Sequence, residues 1–77
     1  MAYNKDGRYL TQQNGNEFDV LHAPGAQTPA SGIYRCEVCG GSAVSTLGNA
    51  LPPQGHHPHP AGDGPIRWRL VVKAHWR

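Results

Sequence analysis

The chain has 77 residues and a net charge of +2, with 7 Lys and Arg against 5 Asp and Glu. This length accommodates one small domain and excludes a large multi-step enzyme. Leu, Ile, Val and Phe account for 13 of the 77 residues, which is a low content for a chain that must bury its own core. Apolar burial alone is therefore insufficient, and a metal, a disulfide or a partner chain is expected to supplement it.

The sequence predicts neither a membrane-spanning segment nor export. Its longest aliphatic run is residues 70–72, whereas a membrane-spanning helix needs about 18 apolar residues. Residues 1–7 include no apolar stretch of signal-peptide length,. We therefore expect a cytoplasmic protein that does not associate with membranes and whose thiols meet a reducing environment, which disfavours a disulfide.

Residues 1–31 are polar and rich in Asn, Gln and Gly. The dipeptide Asn14-Gly15 is a hairpin-turn signal between two short apolar stretches, and the Pro and Gly residues of segment 24–31 break regular structure. The pattern predicts a flexible N-terminal arm or weak hairpin over residues 1–31, ending in a linker over 24–31. Residues 32–77 are then the folded β domain.

Two segments predict a β-hairpin with both cysteines at its tip. Residues 32–36 combine β-branched and aromatic side chains, and residues 42–47 are suited to form the returning strand,. Between them lies Cys36-Glu37-Val38-Cys39-Gly40-Gly41. We expect Gly40 and Gly41 to supply the positive-φ conformation that this tight turn requires.

Residues 66–77 predict a third strand, because apolar and polar side chains alternate along them with a period of two,. Such a strand buries one face, so Trp68 and Leu70 are expected in the core while Arg67 and Arg69 face water. The fold class is thus small and all-β, with an antiparallel sheet of about three strands and a long Gly/Pro loop.

The Gly/Pro loop between the hairpin and the last strand carries a cluster of histidines. Gly and Pro occupy nine of the eighteen positions from 48 to 65, a density that excludes a helix,. The histidines of the loop are His56, His57 and His59. This composition is expected where a ligand ties the loop down.

The cysteines and histidines together form the pattern C-x2-C-x16-H-x2-H, through Cys36, Cys39, His56 and His59. The spacing fits a zinc template in which histidines form the second pair, and His57 is an alternative ligand. Two thiolates and two imidazoles suit tetrahedral Zn²⁺. Four protein ligands indicate a structural role, whereas three would leave room for water. The competing interpretations are ordinary thiols beside solvated histidines, or a dithiol redox site.

The run Ser31-Gly32-Ile33-Tyr34-Arg35-Cys36-Glu37-Val38-Cys39-Gly40 resembles the opening of desulforedoxin-like and zinc-ribbon domains, where a strand of the form G-x-Y-x-C-x-x-C-G enters the first metal knuckle. Leu51-Pro52-Pro53 is similar to the segment before the second ligand group in small bacterial zinc-ribbon proteins. The resemblance covers residues 31–60 and implies a zinc-ribbon-like fold of the rubredoxin and desulforedoxin type. The electron-carrying iron site of desulforedoxins needs four cysteines, of which only Cys36 and Cys39 match, so iron redox function is not implied.

These features predict a non-catalytic zinc-binding module that mediates a macromolecular interaction. Residues 66–77 carry four basic residues and no acid, whereas residues 1–65 carry three basic and five acidic residues. Candidate anion contacts are Arg67, Arg69 and Lys73, and the partner reached through residues 66–77 is a protein or a nucleic acid. The alternatives are an oligomerising interaction domain without metal and a CxxC thiol redox protein. An enzyme has least support, because neither a nucleophile elbow nor a phosphate-binding loop is present.

Overall fold

The computed structural model describes residues 2–56 and 64–75. The predicted ligands His57 and His59 lie outside the described residues. Trp76, at the end of the predicted strand 66–77, lies outside them as well. The regular structure of the described part consists of three strands, β1 (Gly32–Cys36), β2 (Ser42–Ser45) and β3 (Trp68–Lys73), and three short 3-10 turns, Gly7–Tyr9, Asn16–Phe18 and Gln54–His56. The prediction of a small all-β chain is confirmed.

The three strands form one antiparallel sheet with the order β2-β1-β3. The central strand β1 pairs with β2 from Gly32↔Ser45 to Arg35↔Ser42, so the predicted hairpin is present and places the cysteines at its tip. On its other side β1 pairs with β3, including Tyr34↔Leu70 and Cys36↔Trp68. The hairpin and the C-terminal strand predicted from the sequence therefore share one sheet.

One face of the sheet carries the core. Each of the buried apolar residues is at most 1% exposed: Tyr34, Cys36, Leu51, Ile66, Trp68 and Leu70. Between the last two, Arg69 is partly exposed, as expected where successive side chains of a strand point to opposite faces. The predicted burial of Trp68 and Leu70 is confirmed. The Tyr34 hydroxyl reaches back to donate a hydrogen bond to the Ala30 carbonyl at 2.6 Å.

The pairing of β1 with β3 shifts by one residue in mid-strand. Tyr34 lies opposite Leu70, but Ile33 lies opposite Val72, so Val71 has no register partner on β1. An extra residue of this kind reverses the alternation of faces beyond it. Val72 consequently lies on the face opposite the core, and Lys73 lies on the core side of the sheet, reversing the assignment that a regular period of two predicts.

The shift brings the β3 backbone close to Gly32. A Cβ placed on Gly32 would lie 2.0 Å from the Val72 carbonyl oxygen. No side chain fits at that distance, so glycine is required here by close backbone approach.

The segment before β1 packs against the sheet. His22 exchanges two backbone hydrogen bonds with Trp68, at 2.8 and 2.9 Å. Farther along, the Leu51 N–H donates to the Ala26 carbonyl at 2.8 Å and the Thr28 N–H donates to the Asn49 carbonyl at 2.8 Å. Thr28 is 1% exposed and its hydroxyl contacts that of Ser45. Segment 24–31, expected to be a linker, thus contributes a buried residue to the domain.

The weak hairpin expected around Asn14-Gly15 does not form in the described residues 2–31. Gly15 has a φ of −64°, and the next residues form the 3-10 turn Asn16–Phe18. A two-residue hairpin turn of the type favoured by Asn-Gly needs positive φ at both positions. The local signal is overridden by tertiary packing, because Phe18 lies against the hydrophobic core.

Candidate metal centre

The turn after β1 holds both cysteines. The Gly40 N–H donates to the Cys36 carbonyl at 2.8 Å, and the Cys36 N–H donates to the Gly41 carbonyl at 2.7 Å. Gly40 has a φ of 81°, as predicted, but Gly41 is not among the positive-φ residues, so the expectation for Gly41 is wrong. One left-handed residue is sufficient because the chain reverses direction in a single tight turn between Cys36 and Gly41, which these two hydrogen bonds close, and then continues into β2,.

The two thiols differ in their surroundings. Cys36 is fully buried within the apolar core, whereas Cys39 is exposed at the tip of the hairpin. The Cys39 Sγ lies beside Gly41, 3.6 Å from the position that a Cβ on Gly41 would take. A ligand held by both thiols would therefore lie at the boundary between the core and the solvent.

The loop that carries the histidines is anchored to Trp68. The indole Nε1–H donates to the Pro52 carbonyl at 3.1 Å, and the His56 ring packs edge-on against the indole, with 5.6 Å between ring centroids. The Gln54 Oε1 accepts a hydrogen bond from the Ile66 N–H at 3.0 Å. Since Trp68 is the register partner of Cys36, these contacts bring His56 to the cysteine-bearing end of the sheet.

Three of the predicted ligands fall in the described part of the chain, namely Cys36, Cys39 and His56. His57 and His59 lie outside the described residues. Within residues 2–56 and 64–75, no group of three or more His, Cys, Asp or Glu side chains is arranged to hold a metal ion. The ligand set read from the sequence spacing thus stays a prediction.

The basic residues of the sheet fall on two different faces. Arg35 and Arg69 are direct register partners on the face opposite the core. Arg67 lies just before β3, and extending the alternation of the strand by two positions places it on the same face; its Nη1 donates a hydrogen bond to the Ile66 carbonyl at 2.7 Å. Lys73 lies on the other face, where its Nζ is 3.1 Å from the Glu17 carboxylate. This hydrogen bond from Lys73 lowers the pKa of Glu17. The structure therefore brings Arg67 and Arg69 together and separates Lys73 from them.

Two residues beside Arg69, namely Arg35 and Glu37, were not identified from the sequence as part of this face. Arg35 lies opposite Arg69, and Glu37 bridges them: its carboxylate is 3.0 Å from the Arg35 Nη1 and 3.8 Å from the Arg69 Nη1. The signal for Arg35 was its position between Tyr34 and Cys36, which a period of two places away from the core. That pattern could not predict that Arg35 pairs with Arg69 of β3.

The described residues include no helix that is long and apolar enough to cross a membrane.

The chain is 46% identical over 50 residues to a curated Escherichia coli protein named Protein L, an alignment covering 65% of this chain and 56% of that protein. The chain thus spans little more than half the length of this bacterial relative. No family model matches the chain. No solved structure matches it either.

Proposed function

We propose that the protein is a small zinc-binding module in which Cys36, Cys39, His56 and His59 hold one Zn²⁺ ion. The observation that carries the proposal is the anchoring of the histidine loop on Trp68, directly opposite Cys36 in the sheet. The C-x2-C-x16-H-x2-H spacing and the tight turn around the cysteines support the same ligand set. The zinc-ribbon-like assignment of the sheet is part of this proposal.

The role of the ion in this proposal is structural. Two thiolates and two imidazoles complete a tetrahedral coordination sphere and leave no open position for water, so no catalysis is assigned. The apolar core of the described residues consists of six fully buried side chains, and a chain of this size with so few needs a further cross-link. Metal binding supplies it, because the free energy of binding contributes directly to folding. The thiols would persist as ligands in the reducing cytoplasm, where we place the protein.

The test is the metal content of the freshly purified protein together with its response to chelation. We expect about one zinc per chain, and loss of dispersed amide signals from the hairpin of β1 (Gly32–Cys36) and β2 (Ser42–Ser45) when a chelator removes the metal,. Amide spectra that stay unchanged after confirmed removal of the metal would refute the proposal and favour a dithiol or a partner-stabilised dimer.

Variants separate the ligands from their neighbours. Cys36→Ser and His59→Ala are expected to lose zinc, while His57→Ala, the matched control next to His56, retains it. If His57→Ala loses zinc and His56→Ala does not, the second ligand pair contains the wrong histidine. Zinc retained in Cys36→Ser and Cys39→Ser alike would exclude the thiols as ligands.

A further inference from the structure

The sheet face opposite the core carries three arginines at one end. Arg35 and Arg69 lie opposite each other on neighbouring strands. Arg67 lies next to Glu37, whose N–H donates a backbone hydrogen bond to the Arg67 carbonyl at 2.9 Å. We call Arg35, Arg67 and Arg69 the arginine face.

The arginine face holds a cluster of like charges that one carboxylate only partly compensates. Directly opposed like charges destabilise a sheet, and Glu37 offsets this by lying between Arg35 and Arg69. Three arginines against one glutamate leave two positive charges uncompensated. The side chains of Arg35 and Arg69 are 40% and 39% exposed, although the Nε of Arg69 is itself buried, and the Glu37 carboxylate restrains their orientation.

The surroundings of the arginine face determine which partner it suits. Beside it lie the aliphatic side chains of Ile33, Val44 and Val72, of which Val44 is 75% exposed. The described strands carry no aromatic residue on this face, so a stacking platform for nucleotide bases is absent there. Guanidinium groups match phosphate oxygens in geometry and charge, so the phosphate backbone is a part of a nucleic acid that this face can bind.

We propose that the arginine face binds the phosphate backbone of a nucleic acid without sequence preference. The proposal goes beyond the zinc site proposed above, and it gives a partner and a surface to the interaction that the sequence predicts. It follows from the concentration of uncompensated positive charge on one sheet face and from the absence of aromatic stacking groups among the described residues of that face. Single- and double-stranded nucleic acids share the backbone chemistry, and the experiment distinguishes them.

Lys73 provides a matched control. It has the same charge and lies in the same strand as Arg69, but the register shift at Val71 places it on the other face, paired with Glu17. Loss of Lys73 should therefore leave nucleic-acid binding unchanged, whereas loss of Arg67 should weaken it. A regular strand would instead align all three basic residues on one face.

The experiment is a fluorescence anisotropy titration of the full chain against labelled duplex DNA, single-stranded DNA and single-stranded RNA. Three phosphate contacts predict a log–log salt slope of about −2.1 for single strands and about −2.7 for a duplex, or a roughly 20- to 40-fold loss of affinity between about 50 and about 200 mM salt. Arg67→Ala should reduce the slope by about one, and Arg67→Lys should largely restore it. Lys73→Ala should match the wild type.

Three outcomes would overturn the proposal: no binding of any of the three nucleic acids at low salt, binding that does not depend on salt, or equal weakening by Lys73→Ala and Arg67→Ala. Zinc content and amide spectra are measured on the same samples. Zinc-loaded, folded protein that fails to bind refutes the arginine face alone. Folded, metal-free protein that binds with the predicted slope refutes the zinc site alone.

Discussion

Replacing Trp68 by alanine is the substitution expected to cost this domain most. The side chain is fully buried, packs against the His56 ring, and donates its indole N–H to the Pro52 carbonyl. Truncating a buried tryptophan to alanine costs about 3–5 kcal/mol, and the lost hydrogen bond adds about 1 kcal/mol. A chain of 77 residues has a total stability of about 4–12 kcal/mol, so the variant is expected to be partly or fully unfolded.

The assay is urea denaturation followed by far-ultraviolet circular dichroism. Trp68→Phe keeps most of the apolar volume but removes the hydrogen bond to Pro52, so it should cost about 1–2 kcal/mol and stay folded. Val44→Ala, at a position that is 75% exposed, should change stability by less than about 0.5 kcal/mol. If the free energy of unfolding of Trp68→Ala lies within about 1 kcal/mol of the wild-type value, the reasoning from burial is refuted.

Two further substitutions test the packing of β1. Gly32→Ala should destabilise the domain strongly, because the new Cβ meets the Val72 carbonyl oxygen at 2.0 Å, whereas Gly7→Ala, with nothing within 4 Å, should not; equal unfolding midpoints for the two variants would contradict the close approach. Burial raises the pKa of the Tyr34 phenol, so the folded state holds the phenol proton more tightly than the unfolded chain does. This difference contributes to the stability of the folded state below about pH 10, and the contribution is lost as the pH rises above that value. Tyr34→Phe should flatten that alkaline decline in the unfolding midpoint, and the exposed Tyr9→Phe should leave it unchanged; an identical decline in both variants would exclude Tyr34 as its source.

The local features of the fold were readable from the sequence because they depend on neighbouring residues. Alternation over residues 66–77 placed Trp68 and Leu70 in the core, since successive side chains of a strand point to opposite faces. The β-branched and aromatic content of Gly32–Cys36 and the glycines after Cys39 predicted the hairpin and its turn,. The same local reasoning failed at Asn14-Gly15, where the apolar stretches on either side do not pair with each other.

The candidate site was readable only in part. The sequence spacing groups Cys36 with Cys39, because two residues separate them in one turn. The approach of His56 to that end of the sheet depends on Trp68 and Pro52, which are sixteen residues apart. Long-range contacts of this kind leave no periodic pattern in the sequence. The spacing of the cysteines and histidines could therefore suggest a ligand set, but it could not predict which of these residues lie close together in the fold.

The sequence alone determined that this protein is a small all-β chain with its cysteines at a hairpin tip and Trp68 in the core, since each of these follows from alternation and turn chemistry within a few residues. Only the tertiary structure decided the order β2-β1-β3, the packing of the segment around Thr28 and the register shift at Val71. The shift separates Lys73 from Arg67 and Arg69, and the pairing of β1 with β3 sets Arg35 beside Arg69. Register is a property of two strands together, and the pattern of one strand cannot specify where its partner skips a residue.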